Sequence, residues 1–116
     1  MKAESAATVF QVSDLAASKR YYIEVLGFEI DFEFGDYASV RIDDVHIHLN
    51  QNPDSTAIGH GGVYIFCDEV SAYYQDVAGR GASTSGEPVQ APYGMLDFQA
   101  VDPDGNTVSF GCDTEG

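Results

Sequence analysis

Tryptophan is missing from this chain, and basic residues are scarce: five Lys and Arg stand against nineteen Asp and Glu, a net charge of −14 over 116 residues. So acidic a chain has no electrostatic grip on nucleic-acid phosphates or an anionic membrane surface. Two roles fit the charge and are compatible: a solvated surface that serves solubility or a salty medium, and attraction of a cationic ligand. Cysteine is scarce too. Cys67 and Cys112 lie far apart and form no C-x-x-C pair, which excludes the usual zinc and dithiol motifs. No apolar run approaches the ~18 residues of a membrane span. Met1–Ser5 lacks the apolar region of a signal peptide, so a cytoplasmic protein with free thiols is expected. There is no nucleophile elbow, no glycine-rich phosphate loop and no activated-cysteine signature.

What is present is a pattern of short elements. The apolar fraction of 44% is ordinary for one folding unit with a real core. Residues 6 to 12 read as a strand with Thr8, Phe10 and Val12 on one face. Ser13 or Asp14 then caps a helix over about 14–26, which Gly27 stops. Phe28, Ile30, Phe32 and Phe34 alternate with Glu29, Asp31 and Glu33, predicting a strand with four apolar side chains on one face. That face fits a core against a helix and a pocket wall equally well. Strands over 37–42 and 45–50 follow, and the latter sets Val45, Ile47 and Leu49 against His46, His48 and Asn50. The first half is thus β-α-β-β-β.

Residues 51–62 are polar and turn-rich and read as a linker. The pattern then restarts, with a strand at 63–67, a helix capped by Asp68 that carries Val70, Tyr73, Tyr74 and Val77, and a weak strand over 82–88. A closing hairpin turns through Asp102-Pro103-Asp104-Gly105-Asn106. That turn holds a φ preset by proline, Asp side chains that can bond the backbone ahead, and Gly and Asn for positive φ. Val12-Ser13-Asp14-Leu15 answers to Cys67-Asp68-Glu69-Val70, 55 residues on. The expectation is one domain over 1–116, with modules at about 6–50 and 63–112.

Pro92-Tyr93-Gly94 with the 102–106 turn, Leu26-Gly27-Phe28, and Val12–Leu15 with Tyr21-Tyr22 together resemble the glyoxalase/bleomycin-resistance/extradiol-dioxygenase superfamily, the vicinal oxygen chelate proteins. The resemblance covers about residues 7 to 111. It implies an α+β fold, two tandem βαβββ modules forming a cupped mixed β-sheet with helices on its outer face. It also implies four metal-ligand positions, which fall here on Ala7, His48, Gly62 and Ser109. Two have no ligating side chain and a serine hydroxyl is a poor ligand, so no bound metal or other cofactor is expected. His60 could join His48 only if the register slips by two.

The chain looks more like the metal-free, bleomycin-resistance branch. That implies a homodimer whose groove sequesters a cationic or neutral aromatic compound, with no bond made or broken. The alternative is a metal-dependent glyoxalase- or dioxygenase-like enzyme. The candidate ligand-binding residues are Phe32, Phe34, Tyr37, His48, Tyr93, Gly94 and Met95. Phe32 and Phe34 share a strand face, Tyr37 follows across a short turn, and His48 takes the family's cup-facing position. Gly94 lets a ligand approach the backbone, and Met95 offers an adaptable apolar wall. Tyr93 stands where an indole is common in the drug-binding relatives.

Overall fold

Asp14 begins the first helix as expected. Its side chain accepts from the Ala17 amide and caps α1 (Leu15–Arg20). The helix then widens into one π-helical turn, Tyr21–Val25, so the expected single helix has two geometries. In this computed structural model, which describes residues 1–113, the strands are β1 (Thr8–Val12), β2 (Glu29–Phe34), β3 (Tyr37–Ile42), β4 (Val45–Gln51), β5 (Gly62–Phe66), β6 (Ser83–Thr84), β7 (Val89–Gln90), β8 (Met95–Val101) and β9 (Thr107–Asp113). The second helix, α2, spans Val70–Gly79. The end of the expected 1–116 span, residues 114–116, lies outside the described residues. Asp68 is not the cap of α2: the N-cap is Glu69, in the left-handed region at φ 46°, with no side-chain cap bond.

Hydrogen bonding divides the strands into two mixed sheets, ordered β1-β4-β3-β2 and β5-β9-β8-β6, with β7 also on β8. In each sheet the first strand runs parallel to the last, β1 to β4 and β5 to β9, and the remaining pairs are antiparallel. The strand expected over 82–88 is two short pieces instead. Gly86 takes φ 109° between them, and Pro88 has no amide to give a ladder.

The two sheets share one core. Val40, Ile47 and Leu49 of the first sheet and Phe98, Val108 and Phe110 of the second are buried with Leu15 and Tyr22 from the first helical segment and Val70 and Val77 from α2. Strand alternation therefore turns His46, His48 and Asn50, and Tyr64, Asp97 and Ser109, to the faces away from the helices.

β2 breaks the expected alternation. Ile30 pairs with Val40 but Phe32 pairs with Ser39, a bulge that places Asp31 as the extra residue. Phe28 is 3% exposed and packs edge-on against Tyr22 in the core. Phe32 lies across from Ser39 and His48, on the opposite face. The four residues read as one apolar face are thus divided, because one extra residue inverts every side chain beyond it.

The closing turn holds the two halves together. Asp102, 5% exposed, accepts from the Asp104 and Asn106 amides at 2.9 Å each through Oδ1, and from Tyr22 Oη at 3.1 Å and Asn106 Nδ2 at 3.0 Å through Oδ2. Asn106, fully buried, accepts from the Gly61 amide at 2.8 Å and donates to the Gln11 carbonyl at 3.3 Å. A Cβ at Gly61 would overlap the Phe10 ring, so only glycine lets the linker come this close. Asp104 accepts from Ser13 Oγ at 2.6 Å and from the Ser13 amide at 3.1 Å.

Removing the Asp102 carboxylate would strand four donors, three of them on buried residues. Asp102→Ala is expected to lose about 3–5 kcal/mol of stability in urea unfolding, against under ~1 kcal/mol for Ser13→Ala at the exposed end of the network. Equal losses at the two positions would show that the buried carboxylate is not the tie.

Candidate functional site

On the helix-free face of the first sheet, three rings gather. Phe32 and Tyr37 are nearly parallel, at 14° with centroids 6.3 Å apart, and each meets the His48 imidazole edge-on at 5.4 Å. Tyr37 Oη lies 2.7 Å from His48 Nδ1, which orients the imidazole. The register explains the cluster: Phe32, Ser39 and His48 lie in one row across β2, β3 and β4, and Phe34, Tyr37 and Asn50 in the next. Ser39 is fully buried between Phe32 and His48, with no hydrogen-bond partner for its hydroxyl among the described residues. Phe34 stands 83% exposed beside the cluster. His46 Nδ1 is 3.2 Å from the bulged Asp31 carboxylate, so the bulge residue also anchors a polar edge of this face.

Tyr93, Gly94 and Met95 stand on the second sheet. Gly94 takes φ 85° in the turn that enters β8. Tyr93 donates to Asp97 Oδ2, which also accepts from Tyr64 Oη at 2.9 Å. Tyr64 is tilted against Phe66 with centroids 5.1 Å apart. Phe66 and Tyr93 are 76% and 65% exposed, unusual for rings of that size unless something covers them. Met95 lines a shallow hollow with Phe66, Cys67 and Cys112. The structure therefore brings Phe32, Tyr37 and His48 together, and Tyr93 to Asp97. No hydrogen bond or ring contact among the described residues joins these two groups within one chain.

Tyr64, Phe66 and Asp97 were not among the candidate ligand-binding residues. The signal was there in the alternation of Gly62, Tyr64 and Phe66 along β5, opposite the half-buried Val63 and the buried Ile65. Asp97 could have been found only from the pairing of β8 with β9.

The residues at the four implied metal positions do not fit a metal. Ala7 and Gly62 carry no side-chain donor and the Ser109 hydroxyl is a poor ligand, which leaves His48 as the one good ligand among the four. His60 sits in the loop before β5. Among the described residues no group of three or more His, Cys, Asp or Glu is placed to hold one. Cys67 continues the β5–β9 register toward Cys112, its amide bonded to the Gly111 carbonyl, and burial with Cys112 nearby pushes its thiol up. No helix is long and apolar enough to cross a membrane.

A second concavity lies elsewhere. A cleft of about 470 Å³ opens between the β3–β4 turn and the start of α2. Ile42, Val45, Ile65 and Tyr73 contribute apolar lining, and Asp43, Asp44, Asp68, Glu69 and Asp76 add carboxylates. None of the candidate ligand-binding residues lines it.

The Glyoxalase/Bleomycin resistance protein/Dioxygenase superfamily matches residues 5–110, and the chain belongs to that family. Among solved structures, a bleomycin-binding protein from bleomycin-producing Streptomyces verticillus, complexed with copper(II)-bleomycin, is 25% identical with a TM-score of 0.83, over 95% of this chain and 96% of that one. A bleomycin resistance determinant encoded on transposon Tn5 is 17% identical with a TM-score of 0.84, over 97% and 99%. A bleomycin-binding protein complexed with bleomycin is 18% identical with a TM-score of 0.80, over 96% and 99%. None of the curated proteins compared with the chain matches it.

Several phenols are held protonated. Burial first, then Asp102, raises Tyr22 far above the ordinary phenol range; burial raises Tyr73; burial and Asp97 raise Tyr64; the bond to Asp97 raises Tyr93. A group whose pKa rises on folding contributes stability that is present below its unfolded pKa and lost as pH climbs through the folded one. The urea midpoint is therefore expected to fall as pH rises beyond about 10, the unfolded phenol value. In a 295 nm titration, Asp97→Asn should move Tyr64 and Tyr93 down while leaving Tyr22 in place. An unchanged titration would mean that Asp97 does not set these phenols.

Proposed function

We propose that this protein binds and sequesters a small cationic or neutral aromatic compound without chemical change, in a groove of a homodimer. The single observation that carries the reading is the pair of exposed aromatic faces, Phe32–Tyr37–His48 on one sheet and Tyr64–Phe66–Tyr93 on the other, both turned away from the helices. One face alone is open to water. Set against the second-sheet face of a partner copy, the first-sheet face closes a slot between rings, and Phe34, Gly94 and Met95 line its rim. The modules over about 6–50 and 63–112, joined within one chain by 51–62, then each give one wall to a different slot, and the partner copy supplies the other wall. The likeness to proteins solved with bleomycin bound supports this reading, as does the poor fit of the donor set to a catalytic metal.

Flat aromatic ligands gain from stacking, and cations gain from ring faces and the field of a strongly acidic chain. The field acts on encounter and fades with salt, whereas stacking does not.

Bleomycin is the probe. Tyr93→Ala and Phe32→Ala are each expected to weaken its binding by about 1–2 kcal/mol in calorimetric titration, with the fold intact by circular dichroism. Light scattering at micromolar concentration should give a dimer. Unchanged affinity in both variants would place the groove elsewhere, and a monomer would sink the slot between copies.

A further inference from the structure

The two cysteines of the chain are far apart in sequence, and the fold brings them side by side. The Cys67 amide donates to the Gly111 carbonyl at 2.9 Å. The parallel ladder that pairs Phe66 with Gly111 thus runs on past β5 and sets Cys67 beside Cys112. Strand alternation turns both side chains the same way, opposite to Phe66, and both pack half-buried against the core as free thiols. Neighbouring strands lie about 4.8 Å apart, inside the Cα separation of roughly 4.4–6.8 Å that a disulfide spans. Burial first, then Cys112, pushes the Cys67 thiol up, which agrees with the two being close.

Both thiols can be reached from outside. Cys67 and Cys112 border one shallow hollow, and Cys67 also lines the cleft at the start of α2. The segment that follows Cys67 is lightly held. Cys67 and Asp68 lead into Glu69, which opens α2 from a left-handed conformation with no side-chain cap bond. Cys112 stands on β9, an interior strand of the second sheet. A bond between the two would join a poorly capped helix start to a rigid strand, and would enclose α2, β6, β7 and β8 in one covalent loop.

We propose that Cys67 and Cys112 form a reversible thiol–disulfide switch, closed by a small-molecule disulfide, that clasps the start of α2 to β9. In the first step one cysteine, as thiolate, attacks a sulfur of the small disulfide. A mixed disulfide forms, and one small thiolate leaves and takes up a proton. The other cysteine loses its proton, attacks the protein sulfur of the mixed disulfide and expels the second small thiolate, which is protonated in turn. Two electrons pass from the cysteine pair to the small disulfide, and two small thiols are released. The reverse exchange restores the free thiols. The switch does not depend on the ligand-binding reading.

Oxidised and reduced glutathione are the probes, applied to the full chain without denaturant. Oxidised glutathione should consume both thiols, and peptide mass mapping should find Cys67 joined to Cys112 within one chain. Cys112→Ser should stop at a mixed disulfide between Cys67 and glutathione. Oxidation of the unaltered protein should raise the melting midpoint by about 5 °C or more. Exchange of the Tyr73 amide, which donates to the Glu69 carbonyl at the start of α2, should slow about tenfold. Cys112→Ser should show neither change. Excess reduced glutathione should return both thiols, which distinguishes a switch from a permanent staple. Mixed disulfides left at both cysteines of the unaltered protein, bonds only between chains, or a bond that forms only in urea overturn the proposal. So does a bond that excess reduced glutathione fails to open, or a native bond that changes neither the melting midpoint nor the exchange at Tyr73.

Discussion

The Asp102 carboxylate is the constraint on which the rest of the molecule depends. One buried acid takes four hydrogen bonds, and through Tyr22, Asn106, Gln11 and Gly61 it ties the closing hairpin of the second half to the first helix, the first strand and the linker. A buried charge so fully bonded contributes little net energy but tolerates only one arrangement of its partners. It therefore fixes how the two sheets are set about their common core. The aromatic faces on the far sides of those sheets inherit their relative orientation from it. The polar knot and the exposed rings are one design: the inner faces are locked so that the outer faces can be presented.

Much of this was legible. The turn at 102–106 announces itself by composition, and its capacity for several backbone and side-chain bonds follows from having Asp on both sides of Pro103 and Asn at 106. Helix starts and stops, the restart of the pattern after residue 62, and the placement of His46 and His48 on one side of a strand all follow from periodicities of 3.6 and 2. Those periodicities carry the fold because burial of one face is the strongest term each element has.

What escaped has a common cause. The bulge at Asp31 leaves no mark in a pattern that looks cleanly alternating, because Phe and Ile satisfy either face. Its effect appears only once β2 is laid against β3. Asp97 reads as an ordinary polar residue between apolar neighbours until β5, β9 and β8 are side by side. Pairing between distant strands decides these features, and local propensity is silent on it.

The bulge has one more consequence. β2 is an edge strand of the first sheet, with an exposed side along its whole length. A flat, regular edge of that kind is a template on which another chain can add a strand, and so a nucleus for fibrous growth. The misregister at Asp31, with Glu29 and Glu33 on either side, removes the even spacing and neutral charge that such addition needs. Self-association of this chain through its edge is thereby discouraged.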